Sequence, residues 1–550
     1  MTRALAIALS FLSSGLLAAP LLSGTVTSQE EGAMEGVLVS VQAAGSPITV
    51  TVVTDAKGSY AFPEEKVKPG AYAIRVRAVG YDLEGAAELR IGEKPAEQPI
   101  RLKKTTDLAA QLTNAEWMVS MPGTPQEKRQ LLNCLGCHTL ERVARSKYTS
   151  EQFLSTVLPR MQGYVNQSIP GAAQLRKGER LMEERGDQRV QVYKELGDYL
   201  AKVNLSAGDK WSYELKTFPR PTGEATCVVY TEYDLPDKIA QPHDVILDRK
   251  GRIWYSSFGL QKIGRVDPVT GAVKEYDIAI SKPDYPTGVL ALRSDREGNL
   301  WLGNMYQASI AKFDVATEKF RHYAPPPEDN LSSTQLNMVS AMNSGVDGKV
   351  WSQNNGFAGV HRFDLDTGKG ETWAPFKDSK EPHNIYDVIS DSQNNAFFTD
   401  FRQNHIGRID AKTGTITLYE TPTKGSSPRR GNMDSRDRLW FGEYRGHNIG
   451  MLDTKTGAIR EWRVPTPYSA PYDVVLDKDE RAWTGSMSTD RIARLDTRTG
   501  VFVEYLLPRS TNIRRVFVDD STTPPTFWVG NNHGASIVKL ETMPVPPRSP

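Results

Sequence analysis

Apolar positions alternate with a period of two along most of the chain and switch to a helical spacing in one stretch. Val37, Val39 and Val41 alternate with other residues, Ile48 to Val53 is β-branched throughout, and Ile74, Val76 and Ala78 share one face. Such patterning predicts half-buried strands between residues 25 and 102. Turn signals stand between them at Asp55-Ala56-Lys57-Gly58 and Lys68-Pro69-Gly70. From 103 to 215 the spacing is helical. Phe153, Val157 and Met161 lie four apart behind a capping Ser150, and Val192, Leu196 and Tyr199 stripe a predicted helix over 189–203.

From 217 to 540 one unit recurs. Its first copy reads Pro242-His243-Asp244-Val245, a turn from Asp248 to Gly251, Trp254-Tyr255, Ile263-Gly264-Arg265-Val266-Asp267, Thr270-Gly271 and Glu275-Tyr276. The aromatic anchor returns at Trp301, Trp351, Phe397, Trp440, Trp483 and Trp528, at intervals of 43 to 50 residues. That period suits a four-stranded propeller blade, and seven anchors predict seven blades. The last copy lacks its outer Glu-Tyr strand, which stands instead at Tyr230-Thr231-Glu232-Tyr233. A strand from before blade one is therefore expected to complete blade seven and leave no open edge. The fold class expected is multidomain and mainly β: an N-terminal β-sandwich, a small all-α domain and a C-terminal seven-bladed β-propeller, with 541–550 as a tail.

The chain has 550 residues, 67 basic and 66 acidic side chains and a net charge of +1. This balance gives no reason to expect a nucleic-acid partner. Arg3 followed by the apolar run from Ala4 to Ala19 predicts an export signal over 1–24, and hence a periplasmic or otherwise exported protein. An uncleaved anchor is the alternative, though the run is shorter than the roughly 20 residues a span needs. No later stretch predicts a span.

Three cysteines occur, too few for a disulfide framework: Cys134, Cys137 and Cys227. Cys227 is expected to be a buried structural thiol. The other two form Cys134-Leu135-Gly136-Cys137-His138. Two thiols at this spacing can bond the two vinyl groups of one haem, and the adjacent imidazole can then reach the iron. Zinc would need about four ligands, and the only other Cys or His between His138 and His243 is the distant Cys227. A thioredoxin-like pair needs a βαβ setting, whereas the surroundings read as helical. One covalent haem c is thus expected, held by Cys134, Cys137 and His138. The segment resembles a cytochrome c domain. That resemblance implies a methionine as sixth iron ligand, with Met161 the first candidate and Met182 the alternative; a vacant position would mean ligand binding rather than simple electron transfer.

Other pieces carry resemblances too. Thr54-Asp55-Ala56-Lys57-Gly58-Ser59-Tyr60-Ala61-Phe62, Pro69-Gly70-Ala71-Tyr72 and Ala78-Val79-Gly80-Tyr81 resemble the carboxypeptidase regulatory-like, transthyretin-like sandwich, which implies an accessory module. The seven repeats resemble the streptogramin (virginiamycin B) lyase family of propellers. In a four-stranded blade the start of the inner strand and the end of the second strand share an edge. Ser257, Asn304, Asn354, Asp400, Glu443, Ser486 and Asn531, each three past an anchor, should ring one mouth of the channel, with His243, Tyr386, Arg429, Tyr472 and Arg514 at the strand starts. In the lyase family a histidine at such a start, with glutamates and magnesium, supports elimination that opens a cyclic depsipeptide. The match is partial. His243 is partnered by Ser257, Glu443 by Arg429, and Glu381-Pro382-His383 is displaced by three residues, with Asp400 where a glutamate would stand. His243, Glu381, His383, Asp400, Arg429 and Glu443 are the candidate catalytic residues. As mouth positions, His243 and His383 should tolerate alanine at about 0.5 kcal/mol.

Three functions follow. An exported haem protein would pass electrons while the mouth binds a small-molecule substrate or a redox partner protein. A lyase-like C–O lyase would carry the haem domain as an accessory. A binding protein would have neither activity.

Overall fold

The computed structural model describes residues 20–159, 177–283 and 285–545, with the side chains of 177–189 outside it. Of the expected signal, residues 1–19 lie outside the described residues, and the first strand, Leu22–Ser28, already belongs to the sandwich. One sandwich sheet pairs Leu22–Ser28 in parallel with Ile100–Lys104 and carries Tyr81–Glu84 beyond it. The other runs Ile48–Val53, Leu38–Ala43, Gly70–Arg77, Glu88–Ile91. Val26, Val39, Val41, Tyr60, Phe62 and Ile74 fill the space between them. The Asp55 carboxylate accepts from the Lys57 and Ser59 amides (both 2.9 Å), which fixes the turn read from the sequence.

Six repeats fold as separate four-stranded antiparallel sheets and the seventh as four antiparallel strands of a larger sheet. Blade one is Pro242–Leu247, Ile253–Ser257, Lys262–Val266 and Val273–Asp277. The recurrence of aspartate six residues before tryptophan has a physical cause. In four blades the indole N–H donates to that aspartate: Trp254 to Asp248 (2.8 Å), Trp301 to Asp295 (2.9 Å), Trp440 to Asp434 (3.0 Å) and Trp483 to Asp477 (2.7 Å). The same carboxylates accept turn amides, as Asp248 does from Lys250 and Arg252. One side chain thus closes the turn and satisfies the buried indole.

Blade seven is Ile513–Asp519, Thr526–Asn531 and Ser536–Thr542, completed by Val228–Asp234 from before blade one. The far edge of Val228–Asp234 is also paired, from Val229 opposite Val52 to Tyr233 opposite Ile48. Blade seven and one sandwich sheet are therefore a single eight-stranded sheet. Cys227 precedes this junction and is partly exposed, not buried as expected, because the turn Gly223–Thr226 leaves it at the sheet's rim.

The middle segment has no strand among its described residues. It forms Asn114–Ser120, Pro125–Leu131, the 3-10 turn Cys134–Gly136, Glu141–Ala144, a helical stretch from Ser150 to Val157, and the long helix Lys177–Val203. Thr149, not Ser150, is the cap, with Gln152 closing the capping box. On the long helix Tyr199 is buried and Leu196 packs against the core as expected, but Val192 is exposed and Tyr193 is buried in its place. The expected independent all-α cytochrome c-like domain is not what the described residues form. Most of these helices are short, and Trp117, Leu131, Leu135 and Leu140 share one core with Phe258, Tyr306, Tyr444 and Met487 of the propeller. No described helix is long and apolar enough to cross a membrane.

Removing residues 22–103 would bare the edge of Val228–Asp234 from Val229 to Tyr233. The shortened chain is expected to self-associate, as measured by light scattering; a monodisperse monomer would contradict the shared-sheet role.

Candidate functional site

Five inner strands slip register at their starts: between Pro242 and Val245, Ile385 and Val388, Pro428 and Gly431, Pro471 and Val474, and Ile513 and Val516. A bulge re-aims side chains that regular alternation would send to opposite faces. In these blades two successive residues reach across the channel, in two layers.

The deeper layer is Asp244, Asp387, Arg430, Asp473 and Arg515, joined by Arg293 of blade two. Arg430 donates to both oxygens of Asp244 (2.6 and 2.9 Å), and Arg293 to both of Asp387 (3.0 and 2.8 Å). Arg515 lies 3.5 Å from Asp244 and 3.7 Å from Asp473. Burial opposes the charge on Asp244, but Arg430 and His243 overcome it and hold the group well below the carboxylate range. Burial raises Asp473 to about 6.

The outer layer is His243, Tyr386, Arg429, Tyr472 and Arg514. With Asp244 ionised, His243 Nδ1–H donates to it (2.8 Å), and Nε2 accepts from the Tyr472 hydroxyl (3.1 Å). Burial keeps this imidazole neutral, with its pKa lowered to about 3. The Tyr472 and Tyr386 hydroxyls hydrogen-bond each other. Arg429 lies among the rings of Tyr472, Tyr444, Phe401 and Tyr386, 4.0 to 4.8 Å from their centres.

The seven polar residues past the anchors stand at the same edge as the strand starts, as the pairs Pro242–Ser257, Ile385–Asp400, Pro428–Glu443 and Ile513–Asn531 show. They are buried, and several serve the loops. Asn354 Oδ1 accepts from Gly356 (2.9 Å), Ser486 Oγ from Thr489 (3.0 Å) and Asn531 Oδ1 from His533 (3.3 Å).

The helical segment covers this edge. Arg514 Nη2 donates to the Gly136 carbonyl (2.9 Å), Asn512 Nδ2 to Leu135 (3.1 Å) and the Tyr444 hydroxyl to Leu132 (2.9 Å). The Ala115 amide donates to Ser488 (2.8 Å). The Cys134–Gly136 turn is thereby seated on blades five to seven. His138 Nδ1–H donates to the Thr139 carbonyl (2.8 Å), which leaves the Nε2 lone pair free. Metal-bound histidines have this arrangement. Burial raises the Cys134 thiol to about 12 and the Cys137 thiol less far. The thiols of Cys134 and Cys137, neither of them in a disulfide, and one imidazole of fixed tautomer fit a covalently attached haem. They are too few for structural zinc. Met161 lies outside the described residues, as does the side chain of Met182.

The six candidate catalytic residues form three groups rather than one. His243 and Arg429 meet at Tyr472 under the helical cover. Because His243 is fully buried, its alanine variant is expected to cost about 2–3 kcal/mol rather than the surface value. Glu443 bonds Asn448 (2.7 Å), and burial followed by the neighbouring Glu461 raises it to about 8. His383 and Asp400 are bonded (2.6 Å), with Phe376 stacked on the imidazole at 3.8 Å. Glu381 beside them is exposed. His405 completes a cluster with His383 and Asp400 that could hold a metal ion, its ligand atoms within 4.8 Å of one another. Two imidazoles and one carboxylate suit zinc or iron(II) better than magnesium, which prefers oxygen ligands. Sequence reasoning missed His405 and the deeper charged layer. The signal for the latter lay in the dipeptides His243-Asp244, Tyr386-Asp387, Arg429-Arg430, Tyr472-Asp473 and Arg514-Arg515.

The native state keeps the proton on Glu443 that the unfolded chain releases above about 4.5. Its contribution to stability therefore falls as pH rises from about 4.5 toward 8. Glu443→Gln is expected to flatten that part of the profile and to be the more stable protein at pH 8 by roughly 1 kcal/mol or more, as read by urea unfolding at pH 5 and pH 8. An unchanged slope would contradict the assignment.

Comparison with known proteins agrees with this architecture. The carboxypeptidase regulatory-like domain model matches residues 22–103, and the virginiamycin B lyase family model matches residues 432–544. Neither extends over the helical segment. No curated protein matches the chain. Among solved structures, selenomethionine-substituted virginiamycin B lyase from Staphylococcus aureus is 23% identical, over 57% of this chain and 100% of that one, with a TM-score of 0.49. A streptogramin B lyase is also 23% identical, over 57% and 98%, at 0.48. The extracellular domain of a one-component system from B. thetaiotaomicron is 16% identical, over 57% and 42%, at 0.43. The chain thus joins a carboxypeptidase regulatory-like domain to a virginiamycin B lyase-like propeller.

Proposed function

We propose that the chain is an exported binding protein in which one c-type haem is held at the mouth of the propeller. Cys134 and Cys137 would attach it, His138 would ligate its iron, and Met161 or Met182 is the candidate for a second protein ligand. The observation that carries this reading is the seating of the Cys134–Gly136 turn on Arg514, Asn512 and Tyr444. That seating places a motif with haem-attachment spacing over the channel. Once bound, haem supplies one-electron chemistry. The chain's own residues orient His138 through Thr139, exclude water through the shared apolar core and fix the loop to blade seven. Because packing buries Cys134, attachment would have to precede closure of the segment on the propeller.

A second reading is supported by the match of the lyase family model and by the rim cluster. Asp400 orients His383 through Nδ1, and Nε2, which meets the Ser379 hydroxyl at 2.9 Å, is the atom that would act as a general base once that bond is exchanged for substrate, while Glu381 stands exposed beside it. Elimination on a cyclic ester would then use this rim. It would not use His243 or Arg429, which the helical segment covers, or Glu443, which is buried against Asn448.

Expression in a host that matures c-type haem tests both. The full chain is expected to gain the mass and visible spectrum of one covalent haem, and the Cys134→Ala/Cys137→Ala chain to fold without it. An unmodified chain would overturn the haem reading. Metal-dependent opening of a cyclic depsipeptide, retained in the double variant and lost in His383→Ala, would establish the lyase reading.

A further inference from the structure

The two channel layers differ in how their charges are met. In the deeper layer each of Arg293, Arg430 and Arg515 has an aspartate within 4.0 Å. In the outer layer, among the described residues, neither Arg429 nor Arg514 has a carboxylate within that distance, although they are only 8% and 3% exposed. Arg429 Nη1 reaches the Met487 thioether (3.2 Å), a weak acceptor, Nη2 reaches the Tyr386 hydroxyl (3.3 Å), and Nε has no partner. Arg514 spends its donors on Asn512 Oδ1 (2.5 Å) and the Gly136 carbonyl (2.9 Å). The half-buried Arg445, next to Tyr444, also has an unpartnered Nε. Guanidinium groups stay protonated, and burying them without a counter-charge is unfavourable. The four rings around Arg429 offset part of that penalty but neutralise no charge.

We infer that the covered mouth is a binding site for a carboxylate-bearing ligand, gripped by Arg429 and Arg514 between the propeller and the Cys134–Gly136 turn. The guanidinium fork matches a planar carboxylate, and the walls of Tyr386, Phe401, Tyr444 and Tyr472 suit a flat, unsaturated body attached to it. Two sources share this chemistry: the propionate groups of haem, in which case the inference rests on the haem reading above, and a free aromatic acid. Either would supply the anion that the outer layer lacks.

The test uses the full chain as Cys134→Ala/Cys137→Ala and as the haem-loaded protein, with haem content read by mass so that failure of the haem reading registers separately. Benzoate is the probe and benzamide, its neutral analogue, the control at matched ionic strength. In the haem-free chain benzoate is expected to raise the unfolding temperature saturably and benzamide not. Arg429→Gln and Arg514→Gln should each weaken the response by about tenfold, the scale of one lost charge-assisted pair. Arg429→Lys should retain part of it, which separates loss of charge from loss of fold. If haem loading abolishes the benzoate response and the Gln variants lower the unfolding temperature of the loaded form only, the propionates are the anion. If the loaded protein still answers to benzoate, the ligand is a free acid. The inference is overturned if benzoate and benzamide act alike on the haem-free chain and the Gln variants destabilise neither form selectively.

Discussion

The channel of this propeller depends on one arrangement: three aspartates and three arginines, buried and balanced, contributed by six blades. Asp244, Asp387 and Asp473 face Arg293, Arg430 and Arg515 across the axis. A charge removed from water has to be paired and hydrogen-bonded, and breaking a buried pair costs about 3–5 kcal/mol because its partner is stranded. The inner strands can therefore converge only in an order that sets opposite charges together. Asp244 shows the coupling most directly, since it takes both terminal nitrogens of the Arg430 guanidinium of blade five and the imidazole of its own blade. Charge balance fixes which blades oppose one another, and the indole–aspartate bonds fix four of the blades internally.

The other parts are built onto that ring. Bulges at five strand starts turn a second residue toward the axis, so the layer that balances charge sits beneath one that does not. The helical segment closes over the second layer with backbone carbonyls from Leu132 to Gly136, which accept hydrogen bonds from propeller side chains but bring no negative charge. On the outside, the sandwich uses the free edge of the closing strand. The N-terminal domain and the propeller are thus joined through a continuous ladder rather than a linker.

Much of this was legible in the sequence because it repeats. Blade number, the shared edge of strand starts and second-strand ends, and the borrowed outer strand follow from the period and phase of Trp254 and its counterparts. The sandwich was legible from alternation and turn chemistry. What escaped were contacts between segments far apart in sequence. His243 reads as a mouth residue, yet its exposure is decided by a turn more than a hundred residues earlier. Val192 reads as part of a buried stripe, yet the long helix turns Tyr193 inward instead. His405 carries no motif and joins His383 and Asp400 only through the neighbouring strand of blade four. The helical segment gives no periodic signal of its own cover, because its apolar face is completed by propeller residues.

The seating of the Cys134–Gly136 turn on blades five to seven is tested most directly by hydrogen exchange with mass spectrometry on peptides spanning residues 131–144. In the full chain these amides are expected to exchange slowly, because Cys137 and His138 donate to Cys134 and Leu140 donates to the buried Asn114. Asn512→Ala combined with Arg514→Gln should release that protection while leaving the amides of Trp254 and Trp440 unchanged. Fast exchange across 131–144 in the unaltered chain, or protection indifferent to both substitutions, would contradict it.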